Sequence, residues 1–168
     1  DYVGACLDTG NPAYAGEDPV VSAEVLAPYA VTSHVRDTRV WATADGAMAQ
    51  WAPLGDGNVD LPRIVRILAE HAPHAPIDLE IITGGGPTAI PYLDPNADYW
   101  RHYPRMLARD FARFLALARG KGEPLSQLVL PPGTGTPPID QIEAFRAQQR
   151  EHFERSVRYF KEKLAPLA

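Results

Sequence analysis

Several things are scarce in this chain, and each scarcity closes a class of explanation. Cys6 is the one cysteine in 168 residues, so no intrachain disulfide can form. A reducing, cytoplasmic setting is therefore the expectation. No run is long and apolar enough to span a bilayer, which takes about 20 residues, and no signal-peptide pattern opens the sequence. Basic charge is not in excess: 16 Lys and Arg stand against 21 Asp and Glu, a formal charge of -5. Acid and base are interspersed, which argues against nucleic acid as a partner, because duplex binders present a basic face. There is no repeat of fixed period. The first residue is Asp1, directly before a strand-like run, so a piece cut from a longer protein is expected. What remains is ordinary for a globular domain: 45% hydrophobic and 22% charged residues, with length enough for one core.

The apolar pattern alternates between short strands and amphipathic helices. Residues 2–7 read as a strand ending at Asp8, residues 29–35 as a second carrying His34, and residues 77–82 as a third carrying Glu80. Asp18-Pro19 and Asp60-Leu61-Pro62 have the form of helix starts, Asp as N-cap with Pro just inside. Val21, Val25 and Leu26 give the first helix an apolar side, and Ile64, Ile67 and Leu68 the second. The segments 37–58 and 83–96 read as long loops, which are usually functional when ordered. One helix is predicted over residues 97–118, with Met106, Leu107, Phe111, Phe114, Leu115 and Leu117 toward a core. Residues 123–138 read as irregular, with a short extended piece at 127–130. A charged terminal helix over 139–164 has Ile142, Phe145, Phe153, Val157 and Phe160 as its apolar side. Strand, long loop and helix, three times over, predict an α/β fold with right-handed crossovers.

In a parallel sheet the C-terminal strand ends meet, which brings together Asp8, His34 and Glu80. Singly, each has a plain reading: a core histidine, a strand-end cap, a buried carboxylate in need of a partner. Jointly, an imidazole and two carboxylates suit a divalent ion such as Mn²⁺, Mg²⁺, Co²⁺ or Zn²⁺. Gly84-Gly85-Gly86 lacks the Lys-Ser/Thr of a phosphate loop and reads as a flexible turn. Trp41, Trp51, Tyr92 and Trp100 either wall a pocket or pack loops. His71, His74, His102 and His152 show no ligand spacing and read as surface residues.

Four motifs then carry a resemblance: Cys6-Leu-Asp-Thr-Gly-Asn11, His34-Val-Arg-Asp37, Leu54-Gly-Asp-Gly-Asn-Val-Asp60 and Leu79-Glu80. In order and spacing they resemble the C-terminal part of the xylose-isomerase-like TIM-barrel superfamily, over residues 1 to 120. That superfamily holds sugar-phosphate isomerases and epimerases, ketose 3-epimerases, inosose dehydratases and the endonuclease IV group. The resemblance implies a partial (β/α)8 TIM barrel: its last three βα units over residues 1–120, then a Pro/Gly-rich connector and terminal helix over 121–168. It implies Asp8, His34 and Glu80 as metal ligands, with a further Glu from an earlier strand completing the set. Asn11 stands where many members have His, and would hydrogen-bond a sugar hydroxyl. Too few His ligands are present for the multi-zinc endonuclease arrangement. Arg36 occupies a Lys/Arg position near substrate.

The expected function is a divalent-metal-dependent sugar or sugar phosphate isomerase/epimerase, moving a proton next to a carbonyl with Glu80 as a general base. An inosose- or dehydroshikimate-type dehydratase and a non-catalytic carbohydrate-binding barrel remnant are the alternatives. The expected partner is a small sugar or polyol, with neither nucleic acid nor membrane, and a homo-oligomer is compatible with this. Lacking the further Glu, these residues alone are expected to be inactive.

Overall fold

The computed structural model describes residues 3–120, 123–130 and 137–168. Two three-stranded sheets interleave along the chain and first meet at Arg36. The first is parallel, in the order β1 (Ala5–Asp8), β2 (Ala30–Val35), β5 (Ile77–Leu79). Its crossovers run through α1 (Pro19–Leu26) and α2 (Leu61–His71). Both helices begin as the sequence indicates. The Asp18 side chain accepts from the Val20 amide at 3.0 Å, and that of Asp60 from the Arg63 amide at 3.1 Å. Leu7, Ser33 and Val35 lie on the buried outer face of the sheet, against Val20, Ala23, Leu61, Ile64, Val65 and Leu68.

The second sheet corrects two expectations. The segment 37–58 is not a loop but begins with a hairpin, β3 (Asp37–Thr43) and β4 (Gly46–Ala52), paired from Asp37↔Ala52 to Thr43↔Gly46. The signal was present, because Asp-Gly between alternating runs is a hairpin turn. The segment 83–96 likewise contains a strand, β6 (Thr88–Ile90), antiparallel to β4. A side chain at Gly46 would collide with the Ile90 carbonyl, so glycine there admits the third strand.

The helix expected over 97–118 is two: α3 (Asp98–His102) and α4 (Ala108–Gly120). Pro104 explains the break, having no N–H to donate and turning Tyr103 out of the helical region. Phe114 is fully buried, whereas Leu107 faces solvent. Tyr92, Tyr99, Trp100, Phe111 and Phe114 pack edge-on or stacked, at centroid separations of 4.9–6.4 Å. Tyr92 and Trp100 are thus packing residues of a second core, under Val40, Ala47, Ala49 and Ile90.

Three further corrections concern faces. Val25 and Leu26 of α1 are exposed; its apolar residues run right round the helix, and the core side is Val20, Ala23 and Ala27. The terminal helix is α5 (Ile139–Tyr159), followed by a π turn at Phe160–Leu164. Its Phe153 is exposed, while His152 and Ser156 point inward. His152 is therefore not a surface residue, although His71, His74 and His102 are. Residues 127–130 form no strand, and the Gln148 side chain bonds both backbone groups of Leu128. Tyr2 and parts of the expected connector, residues 121–122 and 131–136, lie outside the described residues. No described helix is long and apolar enough to cross a membrane.

Candidate metal centre

Register decides what reaches the uncovered face of the parallel sheet. Asp8 pairs with His34, and His34 with Asp78. Glu80 is two residues past Asp78 and Arg36 two past His34, so all five side chains share that face. The pairing runs on beyond the strands, for the Thr9 amide donates to His34 O and the Glu80 amide to Val35 O, both at 3.0 Å. One ligand atom from each of Asp8, His34 and Glu80 lies within 4.8 Å of the others. His34 Nδ1 is 3.0 Å from Glu80 Oε2.

Asp8 is held by its own turn. Its Oδ1 accepts from the Gly10 and Asn11 amides at 2.8 Å each, and its Oδ2 from Asn11 Nδ2 at 2.9 Å. The Asp-Thr-Gly-Asn motif is thus an Asx turn that aims a carboxylate. Asn11 is exposed, with its amide nitrogen on Asp8.

Arg36 is the unexpected member. It is 5% exposed, and its guanidinium meets both carboxylates: Nε lies 3.1 Å from Asp8 Oδ2, and Nη2 contacts Glu80 Oε2. Its Cζ sits 4.9 Å from the Trp51 ring centre, a cation–π arrangement, and Tyr14 leans on the same indole at 5.6 Å. Trp51 therefore joins the site wall. Trp41 lies on the opposite face of the hairpin, since the register puts Trp51 with Thr38 and Val40. Burial pushes the Tyr14 phenol above its ordinary value, while a backbone hydrogen bond with Trp51 and the Arg36 charge pull the other way. Tyr14 gave no sequence signal beyond lying in a turn-rich loop.

Beside the site, Asp37 is buried with its carboxylate inside the 55–59 turn. It accepts from the amides of Thr38, Gly55 and Gly57 at 2.9–3.0 Å, and from Val59 at 3.4 Å. Burial pushes its pKa up to about 7 against the pull of those amides. A Cβ at Gly57 would strike this carboxylate, and Gly55 has φ +91° beneath the Tyr159 ring. The Leu54-Gly-Asp-Gly-Asn motif is therefore a cap for Asp37. Ser156 Oγ accepts from the Leu54 amide, and Arg155 pairs with Asp56, which seats α5 on the same turn.

The donor set fits a divalent ion. Two ligands on one ion with bonds of roughly 2.0–2.6 Å stand no more than about 5 Å apart, and the three groups meet that limit. Glu80 Oε2 is a buried oxygen with His34 Nδ1 and Arg36 Nη2 against it but no hydrogen bond of good geometry, and Arg36 Nε likewise lies against Asp8 Oδ2 without one. A separate apolar groove, lined by Val21, Val25, Met106 and Phe111, lies between α1 and the start of α4 and does not include these groups.

No curated protein and no solved structure matches the chain. The profile of one family, described as the xylose isomerase-like TIM barrel, matches residues 1–109. That span contains both crossovers, the hairpin and every side chain of the cluster, so the chain belongs to the xylose isomerase-like TIM barrel family.

Proposed function

We propose that this chain carries the metal-binding edge of a divalent-metal-dependent isomerase or epimerase, acting on a sugar or sugar phosphate by proton transfer next to a carbonyl. The observation that carries the reading is the convergence of Asp8, His34 and Glu80 on the sheet face that no described helix covers. The family includes sugar isomerases and epimerases, which supports it. The three parallel strands would be part of a (β/α)8 barrel, with the face of Cys6, Asp8, Thr32, His34, Asp78 and Glu80 turned inward.

In this reading Asp8, His34 and Glu80 hold the ion, which when bound supplies Lewis-acid polarisation of the substrate oxygens. Glu80 also takes or returns the proton at carbon, as the flanking carboxylate. Asn11 keeps Asp8 aimed, and its free carbonyl oxygen offers a hydrogen-bond acceptor to a hydroxyl. Arg36 balances the carboxylate charge while Trp51 fixes its plane. The partner is a small sugar or polyol.

Titration with Mn²⁺ tests the site. One ion per chain is expected, with affinity lowered at least about tenfold in His34→Ala and Asp8→Asn. Equal binding in those variants would remove the metal reading. A carbohydrate-binding role without catalysis is the second reading, favoured by Arg36 already lying against both carboxylates. Solvent deuterium incorporation next to a ketose carbonyl separates the two when this chain is joined to a strand that supplies the further Glu: the enzyme reading expects metal-dependent exchange there, the binding reading none. These 168 residues alone are expected to give none, because the reading calls for a further Glu ligand. Metal-dependent exchange by this chain alone would overturn that dependence.

A further inference from the structure

We infer that Arg36 is the resident counter-cation of this centre and sets how tightly it holds a divalent ion, by opposing that ion at Asp8 Oδ2 and Glu80 Oε2. The inference rests on the proposed metal reading and assigns Arg36 a role other than contact with substrate.

Its ground is how completely the surrounding residues commit this side chain. The guanidinium contacts the same two carboxylates that the metal reading requires, not a solvent-facing pair. Its flat face is covered by the Trp51 indole. Its stem runs across Gly10, where a Cβ would come within 2.6 Å of Arg36 Cγ. Its backbone is gripped by one hydroxyl: Thr9 Oγ1 accepts from the Arg36 amide at 2.9 Å and donates to the Arg36 carbonyl at 2.6 Å. An arginine side chain carries one positive charge, spread over a planar fork. Two carboxylates facing one fixed cation carry a net single negative charge, half of what they would present to a divalent ion by themselves. The guanidinium and the ion then repel each other across a half-buried site, where solvent screens them only in part. Lysine at this position would keep the charge and lose the planar fork that spans both carboxylates.

The experiment is Mn²⁺ binding to the full 168-residue chain, read by the EPR signal of free Mn²⁺ and by tryptophan fluorescence. Arg36→Gln is expected to bind Mn²⁺ about tenfold more tightly than the parent, or better, a difference of about 1.4 kcal/mol. Trp51→Leu frees the guanidinium without touching a carboxylate, and is expected to tighten binding by a smaller factor, roughly two- to fivefold. Equal or weaker binding in Arg36→Gln with a native far-UV spectrum overturns the inference. If Arg36→Gln does not fold, Trp51→Leu decides in its place by the same criterion. If the parent and every variant leave Mn²⁺ free, this inference and the metal reading fall together. If the parent binds and His34→Ala does not, but Arg36→Gln is no tighter, only this inference falls.

Discussion

The parallel and antiparallel sheets divide the labour of the molecule. In the parallel sheet one face is covered by α1, α2 and the tail around Leu164, and the other carries Asp8, His34, Asp78 and Glu80. In the antiparallel sheet small residues do the fitting, with Ala47 and Ala49 lying against Phe114, Tyr99 and Ile90. One residue, Arg36, separates the end of β2 from the start of β3. Neighbours at this joint point opposite ways, Arg36 into the polar cluster and Asp37 into the turn that caps it. Charge is admitted where a sheet face lacks a helix, or where backbone amides surround it. Among the other described residues the buried set is apolar or hydroxyl-bearing, apart from Gln50 and His152.

Stripping the second core should sharpen this division most. Phe114→Ala removes a fully buried ring and is expected to cost about 3–5 kcal/mol in urea unfolding. Mn²⁺ affinity should stay within about twofold, since additivity holds for separate sites; a collapse of affinity in the folded variant would show the two regions to be one unit. Asp37→Asn attacks the joint. An amide nitrogen would face backbone N–H groups where the carboxylate oxygens now accept, at a cost of about 1–3 kcal/mol. It should also change the pH profile. The native carboxyl is raised to about 7, so its contribution to stability is complete below about pH 4 and lost as pH climbs through 7. Stability of the parent should fall over that window, and Asp37→Asn should flatten that fall.

His152 tests the tail with the opposite sign. Burial lowers its pKa, and Thr83 Oγ1 meets its Nδ1 at 2.7 Å. Its contribution is complete above about pH 6.5 and lost as pH drops. His152→Gln should cost about 0.5–1.5 kcal/mol at pH 8 and remove the acid-side loss; an unchanged acid limb in a denaturation series would place that loss elsewhere. The smallest effect belongs to the charges that tie α4 to α1. Arg113 reaches Asp18 at 2.9 Å and Glu24 at 3.3 Å, and Arg63 also reaches Glu24. These groups are partly exposed, so Glu24→Gln is expected to shift unfolding by no more than about 1 kcal/mol, and less in high salt.

The parts legible in sequence were those written in local pattern. Asp18 and Asp60 announced their helices, and the three strands announced themselves by apolar runs. Asp8, His34 and Glu80 could be brought together because strand parity and parallel order are enough to place them. The hairpin hides in a segment whose length suggests a loop, although the Asp45-Gly46 turn and the alternation on either side signal it. Pro104 breaks an apolar pattern that is otherwise helical on both sides of it. His152 and Phe153 exchanged expected faces because a charged helix gives a poor phase, and its seating is decided by partners far away in sequence, Thr83 and Leu54. Arg36 bridging two carboxylates was not legible at all, since it depends on Trp51 closing over it from the second sheet.

The Thr9 hydroxyl has a consequence for motion. By serving both the amide and the carbonyl of Arg36, it makes the end of β1 and the end of β2 travel together. Any movement of the surrounding loops would then leave the guanidinium against Asp8. The Arg36 amide should accordingly be among the slowest in the chain to exchange with deuterated solvent, released only when the sheet itself comes apart.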